Sequence, residues 1–81
     1  MADVDLKTWV ASVARELVDH KEAVSVSSFE DDGVLVFELR VDPSELGRVI
    51  GRQGRTAQAL RTLLEAAGER HGQYYDLEIV D

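Results

Sequence analysis

The stretch LGRVIGRQGRTAQALRTLL, residues 46–64, constrains the fold more than any other part of the chain. Gly51 and Gly54 flank Arg52-Gln53 between two segments of helical periodicity, so the chain must turn sharply between two helices. The first helix has a compact start in Asp42-Pro43-Ser44-Glu45. Asp42 can cap, Pro43 suits the first helical position, and Glu45 sits where a capping-box acid reaches back. Gly47 weakens this helix and Gly51 ends it, so it is short. The second runs from about Arg55 to Arg70, with an apolar stripe of Ala57, Leu60, Leu63, Leu64 and Ala67 and a stop at Gly72.

The flanking segments read clearly. Residues 5–19 place Leu6, Trp9, Val10, Val13, Leu17 and Val18 on one helical stripe, with Trp9 in the core. Val24 and Val26 alternate with serines, and Asp31-Asp32-Gly33 supplies a turn in which Gly33 takes positive φ. Beyond it Leu35, Phe37, Leu39 and Val41 share one face, against Val34, Val36, Glu38 and Arg40 on the other. This is a hairpin whose second strand is the better buried. The last segment alternates Tyr75, Leu77 and Ile79 inward against Tyr74, Asp76, Glu78 and Val80, a closing strand. The order is α-β-β-α-α-β, an α+β domain whose three-stranded sheet carries helices on one face. Eighty-one residues make one domain, 1–81, with an N-terminal helix region 1–22 and a βααβ core 34–80. A domain this small buries only about 60% of its unfolded surface, so pairing with another chain would add burial.

There is no cysteine, so no disulfide framework or thiolate metal site is available, and no metal or cofactor is expected. The first residues carry acids where a secretory signal carries positive charge, and no run approaches the roughly 18 apolar residues of a membrane span. A soluble, intracellular protein without a membrane partner is expected. The net charge of −7 argues, taken whole, against an anionic partner. Its distribution argues otherwise. Residues 46–64 hold Arg48, Arg52, Arg55 and Arg61 and no acid, leaving a balance of −11 on the other 62 residues.

Gly54 leads into a helix N-terminus whose unpaired N–H groups favour an anion. Arg52 projects from the turn, Arg55 from the first turn of the next helix, and Arg48 lies one turn before Arg52. These guanidinium groups make a site for phosphate oxygens.

The run VIGRQGRTAQALRTLL, an apolar pair followed by Gly-x-x-Gly and apolar residues at three-residue steps, resembles the signature of the KH domain. In that domain the loop clamps the backbone of about four nucleotides of single-stranded RNA. The element order resembles the bacterial, type II arrangement. Length, the opening helix, the core from Glu38 to Leu64 and the terminal EIVD are similar to the KhpA family of small stand-alone bacterial KH proteins. The resemblance implies a cytoplasmic, non-enzymatic, single-stranded RNA-binding protein that forms a homodimer or pairs with a KhpB-like protein. It further implies a post-transcriptional regulator or RNA chaperone linked to cell growth, shape and division. Carried onto this chain, the loop is Gly51, Arg52, Gln53 and Gly54, with Ile50 as an apolar wall of the base groove and Arg48 and Arg55 holding phosphates. Val36 or Arg40 from the neighbouring strand would complete the groove. Ala57 stands where a larger aliphatic residue is common in KH domains.

Rival readings fare worse. A P-loop would need Gly where Val49 stands and Lys where Arg55 stands, and would follow a strand. His20 and His71 stand in charged company near helix ends, and Glu30-Asp31-Asp32 reads as a solvated turn, so no catalytic constellation emerges. No aromatic lies between Phe37 and Tyr74, so aliphatic contacts and base-edge hydrogen bonds must hold the bases. One rival from another class stands: a protein-interaction module with little RNA binding of its own, in which Ala57, Ala59, Ala66 and Ala67 let a partner helix approach closely.

Overall fold

A computed structural model describes residues 5–80; residues 1–4 and Asp81 of the expected domain lie outside the described residues. The order is helix α1 (Leu6–Leu17), strands β1 (Ser25–Asp31) and β2 (Val34–Arg40), helices α2 (Leu46–Ile50) and α3 (Arg55–His71), and strand β3 (Tyr74–Val80). The α+β order expected from the sequence is therefore observed. The sheet runs β1-β2-β3, with β1–β2 antiparallel and β2–β3 parallel. A parallel pair needs a crossover, and here α2, the glycine turn and α3 supply it. Among the described residues no helix is long and apolar enough to cross a membrane.

Local chemistry sets the boundaries. Asp5 caps α1, its carboxylate accepting from Lys7 N at 3.1 Å and from Thr8 Oγ1 at 2.9 Å. The Thr8 hydroxyl bond is the leading reason its carboxyl lies below the ordinary value. The helix ends at Leu17 because Val18 is extended, and Lys21 Nζ donates to Arg15 O and Val18 O at 2.6 and 2.9 Å, closing the last turn. The hairpin turns on Asp32 and Gly33, both at positive φ (51° and 81°), the two-residue geometry that suits the right-handed strand twist.

The second strand is better buried than the first, as expected. Phe37, Leu39 and Leu77 meet Val10, Ala14, Val49, Leu60 and Leu64 in one core between the sheet and the helices. Trp9 is half-buried against it. Tyr75 meets the Phe37 ring edge-on, centroids 5.5 Å apart. Gly72, at φ 68°, caps α3, and Gln73 N donates to Gly68 O at 2.8 Å, so the chain turns at once into β3.

Three expectations need correction. Leu63, expected on the buried stripe of α3, is 54% exposed, because the true inward stripe is Ala57, Leu60, Leu64 and Gly68. Glu45 does not reach back to its own cap. Asp42 closes a 3-10 turn over Pro43–Glu45 through Ser44 N and Ser44 Oγ, and the buried Glu45 turns instead to α1. Its carboxylate accepts from Asp19 N at 2.6 Å and from His20 N at 3.0 Å. Finally, Val36 and Arg40 cannot wall a groove beside the loop. They lie on the central strand and point away from the helices, while β3 is the strand that runs along α3.

Candidate nucleic-acid interface

The turn between α2 and α3 is built from backbone conformations that few residues accept. Gly51 sits at φ 80°, ψ 173°, a region essentially closed to any other residue. A Cβ there would stand 2.7 Å from Thr56 Cβ and 2.9 Å from Thr56 N. Gly54 is left-handed at φ 74°, ψ 12°, and the space beside it is open. Between them Gln53 also takes positive φ (57°). Gly51 N donates to Gly47 O at 2.9 Å and Gly54 N to Gly51 O at 3.1 Å, so the turn is hydrogen-bonded within itself. No side chain caps the N-terminus of α3; its first N–H, that of Arg55, donates to Arg52 O, while the helix dipole there still favours an anion.

The expected site residues come together here, but not as equals. Arg52, Gln53 and Arg55 are exposed, Ile50 is 39% exposed beside them, and Gly51 and Gly54 are half-buried. Among the described residues neither Arg52 nor Arg55 has an ion-pair partner. Arg48 differs. Its Nη1 lies 3.2 Å from Asp19 Oδ2 and 3.9 Å from Glu45 Oε2, so two acids distant or adjacent in sequence hold it. Arg61 is also engaged, its Nε and Nη2 donating to Leu77 O at 3.3 and 3.2 Å on the edge strand β3. The cluster of four arginines therefore resolves into two free cations at the turn and two structural ones.

Glu45 is the residue that sequence reasoning missed. Its bonds to the backbone of Asp19 and His20 tie the end of α1 to the start of the glycine turn's first helix. The Asp19 N–H is the leading cause that holds its carboxyl below the ordinary value. His20 Nδ1 sits 3.0 Å from Glu45 Oε1 and 3.7 Å from Asp42 Oδ2. The hydrogen bond to Glu45 is the first cause that raises the imidazole above its ordinary value. An acid three residues before an arginine is a common helix pattern, and nothing in that spacing announces a partner 25 residues upstream.

A family model described as the KhpA/KhpB KH domain matches residues 7–79. The chain is 53% identical over 76 residues to the RNA-binding protein KhpA of Aquifex aeolicus, a match covering 94% of this chain and 96% of that one. It is 45% identical to the RNA-binding protein KhpA of Halalkalibacterium halodurans over 94% of this chain and all of the relative. It is 43% identical to that of Treponema pallidum over 89% and 90% of the two chains. These relatives are named for RNA binding, not for a catalytic activity. Matched over nearly its whole length, the chain belongs to the KhpA/KhpB family of KH domains.

Proposed function

We propose that this protein binds single-stranded RNA by clamping its backbone at the Gly51–Gly54 turn. Arg52 and Arg55, without acidic partners among the described residues, stand on a preformed turn at the start of α3, and this observation carries the reading. Phosphate oxygens approach the backbone beside Gly54, where the space a Cβ would take is open, while Gly51, whose Cβ position is filled by Thr56, permits the turn itself; Gln53 offers its amide at the tip. Ile50 gives the bases an apolar contact. Arg48, tethered to Asp19 and Glu45, flanks the phosphate path as a held charge. The names of the relatives support the same chemistry. The acidic remainder of the chain repels RNA elsewhere and confines it to this face. In the cell the protein acts in the cytoplasm as a post-transcriptional regulator or RNA chaperone in bacterial growth and division.

A second reading has its own observation. Leu63 is 54% exposed on the outer side of α3, with Ala59 and Ala66 exposed beside it. This smooth, uncharged strip suits a like helix, either of a second copy or of a KhpB-like protein. Ala57 and Ala67, which the sequence offered for the same role, are buried and half-buried and belong to the core side. Pairing through α3 leaves the turn open, and two turns on one particle raise avidity.

The deciding experiment is fluorescence anisotropy with a labelled mixed-sequence single-stranded RNA across a salt series. The native chain is compared with Arg52→Asp/Gln53→Asp, which keeps both glycines. Neutralising about three phosphates gives log affinity a slope near −2 against log salt. The variant is expected to bind at least about tenfold more weakly, about 1.4 kcal/mol, with its light-scattering mass unchanged. Equal binding by both chains, or none by either, refutes the clamp and leaves the interaction module.

A further inference from the structure

The side of the sheet turned away from the helices is not a uniformly polar surface. Pairing register puts Phe29 of β1 opposite Val36 of β2, and Val34 of β2 opposite Tyr74 of β3. Val36 is only 7% exposed although no helix covers it, so its cross-strand neighbours shield it. Phe29 and Tyr74 are 42% and 77% exposed, two large apolar side chains left in water at the hairpin end of this face. A cavity of about 670 Å³ begins at Val34 and Tyr74 and reaches round the edge strand to Glu65 and Glu69 of α3.

The charges around this patch are mostly negative; the cation beside them is Arg61, whose Nε lies 4.0 Å from Asp76 Oδ1. Asp31 and Asp76 stand on the same face beside Val34 and Val36, and Asp76, Glu65 and Glu69 line the cavity with no cationic residue among its walls. The face's arginine, Arg40, lies toward the other end and is 3.7 Å from Glu38. Phosphate is repelled here. A cationic chain is attracted, and an exposed tyrosine ring adds a face for a guanidinium or ammonium group.

We infer that the open sheet face is a docking site for a basic protein segment. An apolar side chain of the segment seats between Phe29, Val34 and Tyr74, and its lysines or arginines meet Asp31, Asp76 and the two α3 glutamates. This site lies apart from the Gly51–Gly54 turn, on the face of the sheet turned away from the helices and round its β3 edge to Glu65 and Glu69, so the protein holds an acidic and a basic partner at once. The acidic balance of −11 outside residues 46–64 then serves recognition as well as repulsion of RNA.

The test is a titration of the isotopically labelled full chain, followed by amide NMR shifts, with the probe peptide Lys-Arg-Leu-Lys-Trp-Arg-Lys. A control peptide of equal charge carries Ser in place of Leu and Trp. Expected are shifts centred on Phe29, Val34, Tyr74 and Asp76. Binding of the control peptide should be at least about tenfold weaker, as loss of buried apolar anchors implies. Phe29→Ser/Tyr74→Ser should weaken the probe by a similar factor and leave RNA binding unchanged. Tyr74→Ser alone, at a position 77% exposed, gives the same direction if the double variant loses its fold. Shifts scattered over every acidic surface, or equal binding of the two peptides, overturn the proposal. So does movement of the Phe29 and Tyr74 amides by oligouridylate, which would make this face a base-stacking platform instead.

Discussion

Replacing Gly51 and Gly54 separately by alanine probes the turn most sharply, because sequence alone treats the two as a symmetric pair. Gly51 lies at φ 80°, ψ 173°, where a non-glycine residue is strained by about 1–3 kcal/mol. The added methyl also meets Thr56 at its side chain and at its backbone nitrogen, 2.9 Å away. A side-chain tip could move, but that nitrogen belongs to the first turn of α3 and cannot shift without the helix. The cost of Gly51→Ala therefore stands at the top of that range, about 3 kcal/mol. Gly54 is in the left-handed helical region with nothing within 4 Å, and alanine there costs about 1 kcal/mol. The expected gap is about 2 kcal/mol, and each kcal/mol moves the midpoint of a domain this size by roughly 4–8 °C. Urea unfolding monitored by circular dichroism measures both, with an unchanged slope showing that the unfolded states are comparable. Equal losses for the two variants, or a larger one for Gly54→Ala, would falsify the account of the turn.

Three further outcomes follow from other parts of the molecule. Gly68→Ala should destabilise the protein by about 1–3 kcal/mol, as overpacking does, because its Cβ would lie 2.5 Å from Gln73 O at the α3–β3 junction. The same change in an open helix stabilises, so thermal unfolding reads the sign directly. Stability should be greatest between about pH 4.5 and 6.5, the ordinary values of Glu45 and His20. The raised His20 contributes fully below 6.5, and that contribution is lost as pH rises through its folded-state value; the lowered Glu45 contributes above 4.5, and its share is lost as pH falls through its own. His20 is exposed, so its limb is shallow, and His20→Asn should remove it from the pH profile of the melting temperature. Leu63→Glu should leave the melting curve of the monomer within about 0.5 kcal/mol while light scattering shows any assembly through α3 dissociated.

Much of the architecture was legible because periodicity reports which side of an element is apolar. The hairpin turn, the closing strand and the inward set Phe37, Leu39, Leu77 all follow from alternation. The turn was legible for a different reason, since Gly-x-x-Gly between helices demands backbone conformations that a reader can infer without a fold. Pairing across the chain was not. Nothing local to Arg48 says that Asp19 comes within 3.2 Å of it, and nothing local to Glu45 says that it serves the backbone of α1. Leu63 was misplaced because a heptad-like stripe through two adjacent leucines is ambiguous until the helix is docked. Val36 and Arg40 were misplaced because strand order, not strand sequence, decides which strand lies beside α3.

The turn's internal hydrogen bonds, from Gly51 to Gly47 and from Gly54 to Gly51, have a kinetic consequence. On the clamp proposed for this turn, a loop already folded needs no search for its shape when RNA arrives, so encounters that meet the turn succeed quickly. Yet such a clamp would hold RNA with Arg52 and Arg55, unpaired among the described residues, a helix end and one aliphatic wall, too little to hold a strand for long. Fast arrival with fast departure gives a short residence time. On the proposed clamp, the protein would visit many transcripts in succession, and whatever lengthened its stay on one of them would set its selectivity.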